Sequence, residues 1–183
     1  MDLNRTVQRY HPTSMALHWV MLALFVAVYA SIELRVIFEK GTPPREAIKS
    51  LHFMLGLLVF AMVWLRISMR IKYPAPSIAP APTPTLALAA KLGHLALYAL
   101  MIGMPIMGWL ILSAEGKPVP FFGLELPALI GKNKELGKQL KEIHELVGTA
   151  GYFLIGGHAA AALFHHFIKR DNTLLNMLPA RKS

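Results

Sequence analysis

Polar and hydrophobic positions segregate along this chain in long blocks. Four apolar runs stand out, at about Met15–Ile37, Ile48–Arg70, Leu86–Leu112 and Leu140–Lys169. A helix needs about 20 apolar residues to cross a hydrocarbon layer about 30 Å thick, and each run is that long. A spanning segment must satisfy its own backbone, and the four runs read as helices. The pattern predicts an all-α integral membrane four-helix bundle, one transmembrane domain over residues 1–183.

The connectors differ in character. Tyr73 to Pro84 holds five prolines and predicts an extended, polyproline-like surface segment. Ser113 to Gln139 is the longest loop, and its apolar stretch Pro120 to Ile130 is expected at the membrane interface or as a cap on the bundle. From Lys134 onward, Leu136, Leu140, Ile143 and Val147 recur at helical spacing, so the fourth helix is expected to start outside the membrane. Pro105 lies inside the third run, where neighbouring helices can satisfy the carbonyl it frees. Val28-Tyr29-Ala30 is a faint cleavage signal, but the first run is longer than a signal-peptide core and reads as a retained helix.

Composition agrees, with 55% apolar and 16% charged residues. The net charge of +9 raises nucleic acid as a partner, but the basic residues flank apolar runs, which is the pattern of membrane contact and not of a nucleic-acid face. An even number of spans puts both termini on one side. That side holds ten of the 19 cations, among them Arg5, Arg9, Arg66 and Arg70. The near balance is decided by the basic N-terminal flank of the first helix, which predicts cytoplasmic termini. The absence of cysteine removes thiolate-ligated haem, cysteine-held iron–sulfur clusters and covalent haem attachment.

Histidine is left as the strong transition-metal ligand, with eight in the chain. His144 and His158 are 14 residues apart in the fourth run. On a helix that separation is roughly 21 Å, with the two side chains within roughly 40° of one face. Sorting by depth gives each a partner on another helix: His52 with His144 near the outer face, and His18 with His158 near the inner face. Two imidazoles from two helices suit a six-coordinate haem iron, whereas structural zinc takes four protein ligands. A single intramembrane histidine can equally be an interhelical hydrogen bond. Four at matched depths favour two bis-histidine haem sites. Gly56 and Gly148 follow His52 and His144 by four residues and leave room for a flat ligand, although close helix packing explains such glycines as well.

The other histidines are less constrained. His165 follows His158 by seven residues on nearly the same face, and is either a quinone contact and proton carrier or a helix-end anchor. His94 rivals His18 as the inner ligand, or contacts a quinone or a haem propionate. His11 is expected to be solvated and His166 interfacial. Trp19, Trp64, Tyr73 and Tyr98 read as an aromatic belt. Arg66 and Arg70 suit haem propionates but read first as a basic helix flank. Lys132, Lys134, Lys138 and Lys141 are a weak steering field for an anion, diluted by Glu135, Glu142 and Glu145.

These residues resemble the bacterial cytochrome b561 family. The features are His18-Trp19, His52, Gly93-His94-Leu95, His144, the run from His158 to His166, Lys72 to Pro76, and Asp171-Asn172-Thr173-Leu174-Leu175. The resemblance covers nearly the whole chain and extends more distantly to cytochrome b subunits of hydrogenases and formate dehydrogenases. It implies two haem b groups held by His18, His52, His144 and His158 in a bacterial inner membrane. It also implies exchange with ubiquinone, with His165 at the position of the quinone contact, and in one branch oxidation of superoxide. The expectation is thus a superoxide:ubiquinone oxidoreductase-like protein in contact with membrane lipid, quinone and superoxide or another outer-face donor. Two alternatives stand beside it: a quinol-oxidising cytochrome b subunit serving a periplasmic partner, and a non-redox metal-binding or transport bundle.

Overall fold

The computed structural model describes residues 8–179. Four helices dominate: α1 Pro12–Leu34, α2 Pro43–Lys72, α3 Pro84–Glu115 and α4 Lys134–Phe164. With their continuations they give four segments long and apolar enough to cross a membrane. Three helices start with proline, whose missing N–H would have had no partner in the first turn. Polar side chains cap three of the starts: His11 Nδ1 accepts from the Thr13 amide, Thr83 from Leu86 and Asn133 from Leu136. α3 runs unbroken through Pro105 and stops at Gly116, whose φ of 67° lies where glycine carries no steric cost. α4 does begin in the polar loop, at Lys134, as the helical spacing there predicts.

The helices pack in chain order, α1 on α2, α2 on α3 and α3 on α4. Met21, Val59, Val63 and Met101 form a buried cluster from α1, α2 and α3. A second cluster joins Leu57 and Leu112 to Val119 of the loop. Much of the rest of the apolar surface faces outward, with Leu146 71% and Phe153 78% exposed. Such surface is tolerable only in lipid, so the chain is a multi-pass membrane protein.

The apolar stretch in the long loop is an antiparallel hairpin, β1 Val119–Phe121 and β2 Leu124–Leu126. Val119 is fully buried against Leu57 and Leu112, so the hairpin does cap that end of the bundle. At the other end the proline-rich connector is tied to the chain beyond α4. Asn172 accepts from the Ala79 amide at 2.8 Å and donates to the Ser77 carbonyl at 3.2 Å. Arg9 donates to the carbonyls of Leu175 and Leu178, and Trp19 to that of Met177. His11, expected to be solvated, is exposed but also stacks on Tyr73 with ring centroids 3.8 Å apart.

Candidate cofactor site

Near the end of the bundle that carries the long loop, α2 and α4 bring His52 and His144 together, with ring centroids 6.4 Å apart and planes at 75°. Near the other end, α1 and α4 bring His18 and His158 to 6.1 Å and 63°. A metal–imidazole bond is about 2.0 Å and a ring centroid lies about 1.1 Å behind its nitrogen, so two rings across one iron have centroids about 6 Å apart. Both pairs have room for one metal atom and no direct contact between the rings. Each pair supplies two imidazoles, which suits an iron completed by a macrocycle better than a structural zinc site with four protein ligands.

At the first pair the orientation is the one a ligand needs. His52 Nδ1 lies 3.0 Å from the Val28 carbonyl, and the Ser31 hydroxyl bonds the same carbonyl at 2.7 Å. A carbonyl only accepts, so Nδ1 carries the hydrogen and Nε2 keeps its lone pair. His144 Nδ1 is buried without a partner. A cavity of about 350 Å³ opens here, bordered by both histidines and by Gly56, Gly108 and Gly148. A Cβ on Gly108 would lie 3.7 Å from the His144 ring, so that glycine keeps the wall thin. The residues present therefore fit a flat iron-bearing group.

Tyrosines close one side of this cavity. Tyr29 donates to the Gly148 carbonyl at 2.9 Å, its hydroxyl occupying the space a Cβ on Gly151 would need. It packs on Tyr152 at 4.3 Å, and Tyr152 donates to Glu33 at 2.7 Å. The four cations lining the cavity are Arg35, Lys49, Lys117 and Lys141.

The second pair is more crowded. Arg66 follows His52 by 14 residues on α2, and its Nη2 sits 3.2 Å from His18 Nδ1. A guanidinium only donates, so His18 Nδ1 is the acceptor here. Ligation through His18 Nε2 requires Nδ1 to carry a hydrogen, and hence requires Arg66 to turn away. His94 lies 5.6 Å from His158, also within reach of a shared metal, but it is exposed where His18 is half-buried. Arg70 faces Tyr10 at 5.4 Å.

His165 starts a π-helical turn, His165–Lys169, that ends α4. Its Nδ1 lies 2.5 Å from Asp171, whose carboxylate also accepts from the Thr173 amide at 2.9 Å. Burial alone would raise the Asp171 carboxyl, but the bonds from His165 and Thr173 outweigh it and hold it below the usual carboxylate value. His165 has no close ring contact with His158, and π-turns often mark functional sites. Sequence reasoning missed the Val28 carbonyl, Ser31, the two tyrosines and Asp171 as His165's partner. The 14-residue spacing of His52 and Arg66 was a usable signal for Arg66.

Comparison with known proteins agrees. The family model described as prokaryotic cytochrome b561 matches residues 9–180. The chain is 39% identical over 177 residues to cytochrome b561 homolog 1 of Escherichia coli (strain K12), covering 96% of this chain and 100% of that one. It is 37% identical over 175 residues to a probable superoxide oxidase of Yersinia pestis, covering 96% and 98%. Cytochrome b561 homolog 2 of Escherichia coli (strain K12) is 31% identical over 179 residues, covering 97% and 95%.

Proposed function

The chain belongs to the prokaryotic cytochrome b561 family, membrane electron-transfer proteins with b-type haem, and on that premise we propose a specific route for the electrons. The protein carries two b haems, one between His52 and His144 and one between His18 and His158. It takes electrons from superoxide at the outer face of a bacterial inner membrane and gives them to ubiquinone at the cytoplasmic face, with both termini in the cytoplasm. Two superoxide anions become two molecules of oxygen, and one ubiquinone takes two electrons and two protons.

The observation that carries this reading is the repetition of one imidazole geometry near each end of the bundle, at 6.4 Å and 6.1 Å. Bound haem supplies one-electron chemistry that no side chain here can. The protein's own residues hold the ligands, exclude water and place charge. The Val28 carbonyl fixes the His52 ring, and the core of Met21, Val59, Val63 and Met101 is apolar. The donor's identity leans on the relative whose name is a probable superoxide oxidase. His165, paired with Asp171 at the π-helical end of α4, serves as the proton-carrying group for the quinone.

A pyridine haemochrome assay on purified protein, followed by stopped-flow mixing with superoxide, tests this. Two haems per chain and haem reduction faster than in a membrane b cytochrome that does not react with superoxide are expected. One haem or none would overturn the two-site reading, and slow reduction would overturn superoxide as donor.

A further inference from the structure

The cavity beside His52 and His144 is lined by four cations, and three of them already have carboxylate partners. Lys49 pairs with Glu46 at 2.8 Å, Lys117 with Glu115 at 2.6 Å, and Lys141 with Glu145 at 4.0 Å. Among the described residues Arg35 has no carboxylate within salt-bridge distance, and its Nε is buried with no hydrogen-bond partner. A buried guanidinium N–H left unpaired is costly and uncommon in native proteins, so a partner for it is expected on the cavity side.

The local chain is built to hold Arg35 in place. It opens a single 3₁₀ turn, Arg35–Ile37, at the end of α1. Arg45, at the start of α2, donates to the Arg35 carbonyl at 3.2 Å and to the Phe38 carbonyl at 2.7 Å. Both ends of the turn are therefore fixed from a second helix, while the Arg35 side chain borders the cavity. We propose that Arg35 is the anion anchor of this cavity and pairs with a propionate carboxylate of the haem held by His52 and His144. A guanidinium is the suited partner, being always charged and presenting parallel donors that match a carboxylate. The proposal rests on the two-haem reading above.

The test uses full-length R35Q and R35K with haem counting and a redox titration of each haem. R35Q keeps both haems or loses only the one at His52 and His144. Where that haem is kept, its midpoint potential falls, because an unpaired carboxylate favours ferric iron, while the other haem is unmoved. R35K restores most of the shift. An unchanged potential in R35Q with both haems present would overturn the assignment. So would an effect confined to a salt-dependent superoxide rate, which would make Arg35 a steering group for the incoming anion. Loss of both haems from both variants would also overturn it and leave Arg35 a structural part of the turn. Fewer than two haems in the unmodified protein would instead defeat the two-haem reading itself.

Discussion

His52 Nδ1 lies 3.0 Å from the backbone carbonyl of Val28, a contact between α2 and α1 that fixes which nitrogen faces the cavity. A carbonyl on a packed helix cannot easily move, so the ring is oriented before any metal arrives. H52A and H144A should each reduce haem from two per chain to one, with the same spectral component lost in both. Pyridine haemochrome and low-temperature difference spectra read this. Loss of different components from the two variants would dissolve the pair.

The two rings of each pair are steeply crossed, at 75° and 63°. Crossed axial imidazole planes leave two iron d-orbitals nearly degenerate, which gives a strongly anisotropic low-spin ferric signal. Electron paramagnetic resonance of the oxidised protein should show two such signals. Ordinary rhombic spectra, as from parallel rings, would mean that the rings rotate when the haems bind.

Gly151 and Tyr29 form a steric pair across α4 and α1, because a Cβ at 151 would collide with the Tyr29 hydroxyl. G151A should destabilise the fold by about 1–3 kcal/mol, since the tyrosine must shift and give up its bond to the Gly148 carbonyl. Y29F removes the colliding atom. The double variant should therefore be more stable than G151A alone in thermal unfolding followed at the haem band. Simple additivity would show that the clash relaxes elsewhere.

The four spans and the pairing of helices by depth were legible in the sequence because both depend on spacing alone. Apolar run length sets the spans, and the separation of His144 from His158 sets the two levels. The hairpin Val119–Leu126 was not legible as strands, since two three-residue segments carry no period to detect. The backbone carbonyl of Val28 was invisible for a different reason: side-chain identity says nothing about which carbonyl a neighbouring helix presents. Nothing in the sequence sets Arg35 apart from the other cations, because the carboxylate partners of Lys49, Lys117 and Lys141 appear only in the structure. His11 was expected in solvent and is exposed, and the connector also folds back to stack Tyr73 on it.

At the second pair, His18 and His94 both approach His158, at 6.1 Å and 5.6 Å. His18 is the half-buried ring and has the separation closer to that of two axial ligands. H18A should lose the haem proposed at this pair, and H94A should keep it. The reverse result would hand the ligand role to His94. R66Q should keep that haem but lower its potential, because the variant removes a cation that stays close to the iron even after it turns away from His18 Nδ1. An unchanged potential in a redox titration would mean that Arg66 lies further from the iron than its contact with His18 implies.

Asp171 and His165 tie the π-helical end of α4 to the segment that follows it. The carboxyl's pKa lies below its unfolded value, so its contribution is full above about pH 4. That contribution is lost as the pH falls through the lower folded value. Acid, and not mild alkali, should therefore loosen the segment through this group, which limited proteolysis across a pH series would detect. D171N removes the carboxylate, so it should abolish this acid dependence at every pH tested. The same variant separates structure from electron transfer. If the pair serves quinone reduction, D171N slows ubiquinone turnover several-fold and shifts its pH profile, while reduction of the haems by an outer-face donor keeps its rate. If both rates fall together with loss of haem, the pair is structural only.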